Sequence, residues 1–478
     1  MSDLKSKASK GILWSSIERF SGQGVVFVIG IILARILSPS DYGLIGMLAV
    51  FISISDIFIQ SGFGSALIQK KDRNEVDFAT TFYFNIVVGI IAYSILFFLA
   101  PFIANFYNQP LLVPLARVLG LTLIINSFAV VQRSKYTIGL DFKTQTKASL
   151  SAIFIGGIVG VYMAYSDYGV WALVGQTLSR RLIEVILLWY FSKWLPKESF
   201  SFESFKGLFS FGSKLLASAL LESIYQNIYL IIIGKYFSAS DLGYYTRAKQ
   251  FNELPSSNIT SVLVRVTFPL LSNIQDDKEK LRAVVSKIIK YSALIVFPLM
   301  IGLASLSDPL IRVLLTDKWI DVVWMLQLLC FAGMLYPVHA LNLTLLQAIG
   351  RSDLFLRLEI IKKVMATVIV IISLSFGIKG LLIGIIIFSY LALVINLYYT
   401  KKVISYGFFQ QMKDILPIFT LSIIMGIVMW VLISYINSNI LKLLIGFIIG
   451  FSFYVPTAWL FNLGNIKSIP EMLKHLKK

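Results

Sequence analysis

Ile31-Ile-Leu-Ala-Arg35-Ile-Leu-Ser38-Pro-Ser40-Asp41-Tyr-Gly43 closes one long apolar run and opens the next. Two hundred residues later the chain reads Ile231-Ile-Ile-Gly-Lys235-Tyr-Phe-Ser238-Ala-Ser240-Asp241-Leu-Gly243. Ser, Ser, Asp and Gly recur in register, with Arg35 opposite Lys235. Taken singly, each copy reads as a capping turn, a Ser or Asp opening the next helix. The offset adds information, because it spans six expected helices. A second echo keeps the same order, Ile138-Gly139-Leu-Asp141 against Ile349-Gly350-Arg-Ser-Asp353. Six is even, so the halves share one orientation and relate by a pseudo-two-fold along the membrane normal, the parallel-repeat arrangement of transporters.

The apolar runs around these turns are membrane spans. Of 478 residues, 57% are apolar and 14% charged, and mean hydropathy is +0.79. Soluble domains carry about 45–50% apolar and about 25% charged residues. Stretches 84–104, 148–166, 382–400, 418–441 and 443–466 hold no charge, and each is long enough to cross ~30 Å of hydrocarbon. Fourteen spans are expected near 12–37, 41–66, 77–102, 111–131, 148–166, 169–191, 207–234, 242–271, 284–306, 322–346, 356–376, 380–400, 415–436 and 443–462. The expected fold is an all-α polytopic membrane protein of two parallel six-helix repeats plus two C-terminal helices. Residues 1–195 form the first lobe, 196–405 the second, and 406–478 the last two helices with a cytoplasmic tail. The basic N-terminus is read as a retained first span, since its apolar run is too long for a signal peptide and contains Glu18 and Arg19.

Basic residues fix the orientation. Alternate loops and tails hold 28 Lys and Arg on one side against about five on the other, and the net charge is +18. That asymmetry puts both termini in the cytoplasm. The charges are scattered through short loops rather than gathered on one face, so no nucleic-acid partner is expected. The single cysteine, Cys330, forms no internal disulfide, and His339 and His475 lie far apart. A Cys/His zinc site is excluded by count. No Walker A sequence is present; Gly207 to Lys214 is a near miss with one residue too many. The chain reads as a transporter without a cofactor, not an enzyme.

Ionisable groups inside a span are expensive and face a cavity or one another. Helix one carries Glu18 and Arg19, and helix two carries Asp56 with Ser53 and Gln60 on its face. Helix six has Arg180, Arg181 and Glu184; helix seven has Lys214 and Glu222; helix eight has Arg247, Lys249, Glu253 and Arg265. Helices five, twelve, thirteen and fourteen are essentially uncharged. By the repeat, helices seven and eight partner one and two, so both charged pairs are expected to line a polar cavity between lobes. Arg19, Arg180, Arg181, Lys214, Arg247 and Lys249 are the candidate contacts for an anionic group, arginine being suited to bidentate phosphate binding. Asp56 and Glu222 lie nearer mid-span and are candidates for coupling to a proton or sodium gradient. Plainer readings stand beside these. Arg180 or Arg181 with Glu184 reads equally as a self-satisfied pair on one helix. Arg35, Lys235 and Arg265 read as snorkelling side chains, and His339 as a donor to a carbonyl freed by Pro337.

Three stretches carry a family resemblance. The first is Leu33-Ala-Arg35 through Asp41-Tyr-Gly43, followed by Gly62-Phe-Gly64-Ser-Ala-Leu-Ile-Gln69. The second is Thr267-Phe-Pro269-Leu-Leu-Ser272, followed by Gln275 through Arg282. The third runs from Lys318-Trp319 through Pro337-Val-His-Ala-Leu-Asn342 to Gly350-Arg-Ser-Asp353. In this order they resemble the Wzx-type polysaccharide flippases, a branch of the multidrug/oligosaccharidyl-lipid/polysaccharide exporter superfamily, and look closest to the colanic-acid exporter group. The resemblance implies fourteen helices, a cationic cavity, and an undecaprenyl-pyrophosphate-linked glycan moved between leaflets of the bacterial inner membrane. Membrane lipids and polysaccharide polymerase or ligase proteins are the partners it implies. No short catalytic motif defines the family, so no individual binding residue carries over. A drug exporter of the same fold would need an acidic, aromatic cavity, whereas this set is net basic. A membrane glycan polymerase or ligase would need a large outer loop, and the longest outer connection, near 306–322, is about 15 residues.

Overall fold

In hydrocarbon a backbone amide has no water to bond, so each span must close its own hydrogen bonds and becomes a helix. The structure, a computed structural model, describes residues 2–60 and 62–468; the side chains at 2–13, 15, 16, 19, 211, 214 and 468 lie outside the description. The chain forms two compact units, residues 1–243 and 244–478.

The first unit holds α1 (Ser2–Ile36), α2 (Pro39–Gln60), α3 (Phe63–Gln69), α4 (Glu75–Tyr107), α5 (Leu112–Leu119), α6 (Leu121–Ser127) and α7 (Val130–Ile138). It continues with α8 (Phe142–Tyr165), α9 (Trp171–Ser192) and α10 (Phe202–Tyr236). Helix α11 (Ala239–Asn273) begins here and runs into the second unit. That unit adds α12 (Lys278–Ser305), α13 (Ser307–Leu314), α14 (Val322–Gly333), α15 (Tyr336–Ala348) and α16 (Ser352–Leu374). Last come α17 (Gly377–Ile404), α18 (Phe408–Ser434) and α19 (Asn439–Leu460), closed by a 3-10 segment, Leu463–Ser468.

All fourteen expected spans appear. Ten are apolar enough to cross a membrane by length and composition alone among the described residues. The other four are α1, α9, α11 and α16, and each carries charge inside its apolar run. Two spans are broken rather than continuous. Residues 112–138 are cut into α5, α6 and α7, where the Thr122 and Ser127 hydroxyls bond the carbonyls of Leu119 and Ile124 at 2.7 and 2.6 Å. Residues 322–348 are cut into α14 and α15, and Pro337 sits in the first turn of α15, where its missing N–H is no loss.

That position corrects the expectation for His339. Pro337 frees no carbonyl for it. The ring instead meets the Ser389 hydroxyl at 3.2 Å and the Asn396 amide at 2.9 Å. Thr400 donates to the Asn342 side-chain oxygen at 2.7 Å, and Gln411 donates to the same oxygen at 2.9 Å. This neutral, buried seam ties α15 to α17 and α18.

The repeated motif builds one device twice. At Ser38 the backbone N–H and the hydroxyl donate to Asp41 Oδ2 at 2.8 and 2.7 Å. At Ser238 the same two groups donate to Asp241 Oδ2 at 3.1 and 2.7 Å. The capped helix starts then cross reciprocally. A β-carbon on Gly43 would fall inside the Ala239 carbonyl, and one on Gly243 inside the Pro39 carbonyl. Only glycine permits that approach. The second echo is less faithful. Each helix ends in a left-handed residue two positions past its last turn, but that residue is Leu140 in one copy and Gly350 in the other, so the structural register differs by one from the sequence echo.

Replacing Gly43 or Gly243 by Val is expected to destabilise the purified protein by about 1–3 kcal/mol or more, the range for overpacking. Gly24, with nothing within 4 Å of its would-be β-carbon, supplies the control, so thermal unfolding in detergent should leave G24A close to the parent.

Candidate functional site

The charges of the first unit stand on α1, α2, α7 and α9, with α8 packed against both α1 and α9 and α6 against both α2 and α9. Arg133 of α7 bonds Glu184 of α9 at 2.7 Å, and Arg181 lies 3.8 Å from the other oxygen of Glu184. Asp56 of α2 accepts from the Asn126 amide of α6 at 2.9 Å. Its charge also feels Arg181 and Arg133, while Glu18 feels Glu184 and Arg133 and bonds Ser149 of α8. Three arginines and three carboxylates therefore form one coupled set. Each is an expensive group in a membrane interior, and each is tolerated because the others stand near it.

Packing explains how the helices come so close. Gly156 and Gly160 of α8 sit directly under Arg180 and Gln176 of α9; small residues let helix backbones approach in a membrane. Arg180 is left at the rim of a cavity of about 340 Å³ that it lines with Glu18, Gln23 and Ser149. Among the described residues no carboxylate oxygen lies within 4.0 Å of its guanidinium. The plainer reading of an arginine satisfied within its own helix therefore describes Arg181 weakly and Arg180 not at all; Glu184 spends its short bond on another helix.

The remaining candidates fall elsewhere. Arg19 and Lys214 stand on α1 and α10, and their side chains lie outside the described residues. Glu222 is exposed on α10 and accepts from Gln226 one turn on at 2.8 Å. Arg247 and Lys249 belong to α11 in the second unit. The Arg247 guanidinium is buried over the Trp319 ring at 5.8 Å and donates to Gln250 at 2.6 Å. Lys249 pairs with Glu253 at 3.7 Å. Asp56, Arg180 and Arg181 are thus brought together, whereas Arg247 and Lys249 form a separate pair on α11.

Sequence reading missed Arg133. It lies past the expected end of the fourth span at 131, among the 28 basic residues assigned to loops and tails, yet its guanidinium bonds Glu184. No sequence signal marked it: the expected fourth span ends at 131, whereas α7 runs on through Ile138 and places Arg133 on a helix. Chemically, the set offers guanidinium forks of the kind that suit an anion.

Ten helices long and apolar enough to cross a membrane among the described residues, with a half-buried cluster of three arginines and three carboxylates in the first unit, define a multi-span membrane protein. Comparison with known proteins narrows the class. A family model described as "Polysaccharide biosynthesis protein" matches residues 32–324, and the chain belongs to that family. It is 29% identical over 359 residues to the teichuronic acid biosynthesis protein TuaB of Bacillus subtilis, covering 74% of each chain. It is 27% identical to the lipopolysaccharide biosynthesis protein WzxC of Escherichia coli, covering 75% of this chain and 73% of that one. Its fold matches the lipid II flippase MurJ in an inward closed conformation, with a TM-score of 0.76, 17% identity, and 94% and 99% of the two chains covered.

Removing the Glu184 carboxylate leaves Arg133 and Arg181 facing each other without compensation. E184Q is expected to cost roughly 1–3 kcal/mol, as for a buried group stripped of its partner. The pair R133Q/E184Q should cost less than the sum of the single changes. A double-mutant cycle on unfolding in detergent measures the coupling, and strict additivity would show that the 2.7 Å contact contributes nothing.

Proposed function

We propose that this chain moves an undecaprenyl-pyrophosphate-linked oligosaccharide from the cytoplasmic to the periplasmic leaflet of a bacterial inner membrane, by alternating access. The observation that carries this reading is the arginine group of the first unit, with Arg180 open to a cavity that also holds Glu18. An anionic lipid head gives Arg180 the partner that Arg133 and Arg181 find in Glu184. Relatives named for the synthesis of teichuronic acid and lipopolysaccharide and a fold neighbour named for flipping a lipid-linked precursor support the same substrate class. The loop asymmetry of 28 against five basic residues supports both termini in the cytoplasm.

Within this reading Arg19, Arg180, Arg181, Lys214, Arg247 and Lys249 contact the pyrophosphate and acidic sugars in the course of the cycle. Asp56 is the better placed of the two coupling candidates. Its carboxylate is held by an amide, Asn126, rather than by a direct cation, so capture of Arg181 by substrate alters the charge it feels and with it its hold on a proton or sodium ion. Glu222, being exposed, is the alternative. Polymerase or ligase proteins that consume the flipped unit are the partners this activity requires, and residues 1–195, 196–405 and 406–478 are its working divisions.

The test is complementation of a strain lacking its own flippase. R180Q/R181Q is expected to reduce surface glycan at least about tenfold while the protein remains in the membrane at parental level, and D56N should abolish the dependence of export on the ion gradient. Normal export by a variant neutralised at all six basic positions would end this reading.

A further inference from the structure

A second basic cavity lies in the other unit, far along the chain from the arginine cluster. Helix α12 presents Ala283, Ser286, Lys287 and Lys290 at i, i+3, i+4 and i+7, hence on one face. Lys290 is the last charge before seventeen uncharged residues, so it marks the edge of the hydrocarbon. After α19 the chain hooks back. Asn462, Gly464 and Asn465 adopt φ of 48°, 58° and 58°, a left-handed sequence that glycine and asparagine tolerate best. The hook lays Gly464 between α12 and α18, where a β-carbon would stand 3.6 Å from Leu294, from Ile418 and from the Lys290 carbonyl.

Hook and helix face enclose a cavity of about 500 Å³ lined by three lysines, Lys287, Lys290 and Lys467, together with Ser286, Asn462 and Asn465. Lys290 has a carboxylate, Asp414, at 2.9 Å. That carboxylate is shared with the Ser286 and Tyr406 hydroxyls at 2.7 and 2.6 Å. Among the described residues no carboxylate lies within 4.0 Å of Lys287 or Lys467. Two positive charges are left over. On the other side of the hook an apolar groove of about 480 Å³ runs between α18 and α19, from Ile424 and Phe453 down to Phe461 and Leu463. Neighbouring residues of the hook thus alternate between a basic chamber and an apolar one.

We propose that this is a binding site for an anionic phospholipid, its phosphate among Lys287, Lys290 and Lys467 and one acyl chain in the α18–α19 groove. The charge matches: two uncompensated ammonium groups meet a phosphodiester and a second headgroup anion or dipole. The level matches too, because basic pockets at a lipid-facing helix boundary capture anionic headgroups. Such a lipid would staple the hook across α12, α18 and α19, which no side-chain bond between Lys467 and α12 does in its place.

Full-length protein in a neutral detergent is titrated with phosphatidylglycerol, with phosphatidylcholine and inorganic phosphate as controls, while bound lipid is counted by native mass spectrometry and unfolding temperature is followed. Phosphatidylglycerol is expected to bind in preference to phosphatidylcholine and to raise the unfolding temperature. K287Q/K467Q should weaken that binding by about fivefold per lysine, roughly 25-fold for the pair, and K287R/K467R should restore it. Thr420→Trp, which fills the groove, should weaken it with the lysines intact. Equal binding of the two lipids would overturn the proposal, as would an unchanged affinity in K287Q/K467Q. It also falls if inorganic phosphate alone reproduces the stabilisation, or if undecaprenyl pyrophosphate displaces the phospholipid at equal concentration, which would assign the cavity to the transported lipid.

Discussion

An ionised side chain in a bilayer needs a partner of its own, and most of this architecture follows from how those partners are supplied. A single charge at the centre of a spanning helix costs about 2.5–3.5 kcal/mol even on the lenient insertion scale. The first unit keeps Glu18, Asp56, Arg133, Arg180, Arg181 and Glu184 inside and lowers that cost by setting them on α1, α2, α7 and α9, with α6 and α8 packed among these helices. The glycines of α8 under Arg180 and Gln176 serve the same end. They let α8 and α9 pack closely enough for Glu184 to reach across to Arg133.

Much of this was legible in the chain and some was not, for reasons that can be named. Fourteen spans follow from hydropathy because the bilayer imposes a length on every crossing segment. The Ser38–Asp41 and Ser238–Asp241 caps were readable as turns, and their identical bonding supports the repeat the spacing suggested. The breaks at Gly120 and at Phe128–Ala129 were hidden, since an apolar run looks the same whether its helix is whole or cut. Arg133 was hidden by the same fact: with the fourth span ended early, a helical arginine passes for a loop residue. The hook after α19 depends on left-handed Asn462 and Asn465, which a sequence shows only as an ordinary polar tail. His339 was misread because a proline was taken to interrupt a helix that it begins.

The seam of the second unit uses a different solution to the same constraint. Asn342, Asn396, Thr400 and Gln411 are buried polar groups without formal charge, half-buried His339 joins them, and hydrogen bonds among them link α15, α17 and α18. A neutral network of this kind specifies helix register and has little to offer a charged ligand. The charged network of the first unit also carries guanidinium groups of the kind that suit an anion.

That contrast bears on what the repeat preserves. At the two-hundred-residue offset of the capping turns, Glu18 falls opposite Ser218 and Asp56 opposite Ser256. The Ser256 hydroxyl bonds the carbonyl of Asn252 in its own helix at 2.8 Å, whereas Asp56 reaches Asn126 on a neighbouring one. The two copies of the motif therefore share their turns, their caps and the glycines that cross reciprocally. They do not share the carboxylates. The repeat thus holds in the backbone devices that join consecutive helices, and it is broken where the first half places carboxylates and the second places hydroxyls, that of Ser256 bonding within its own helix.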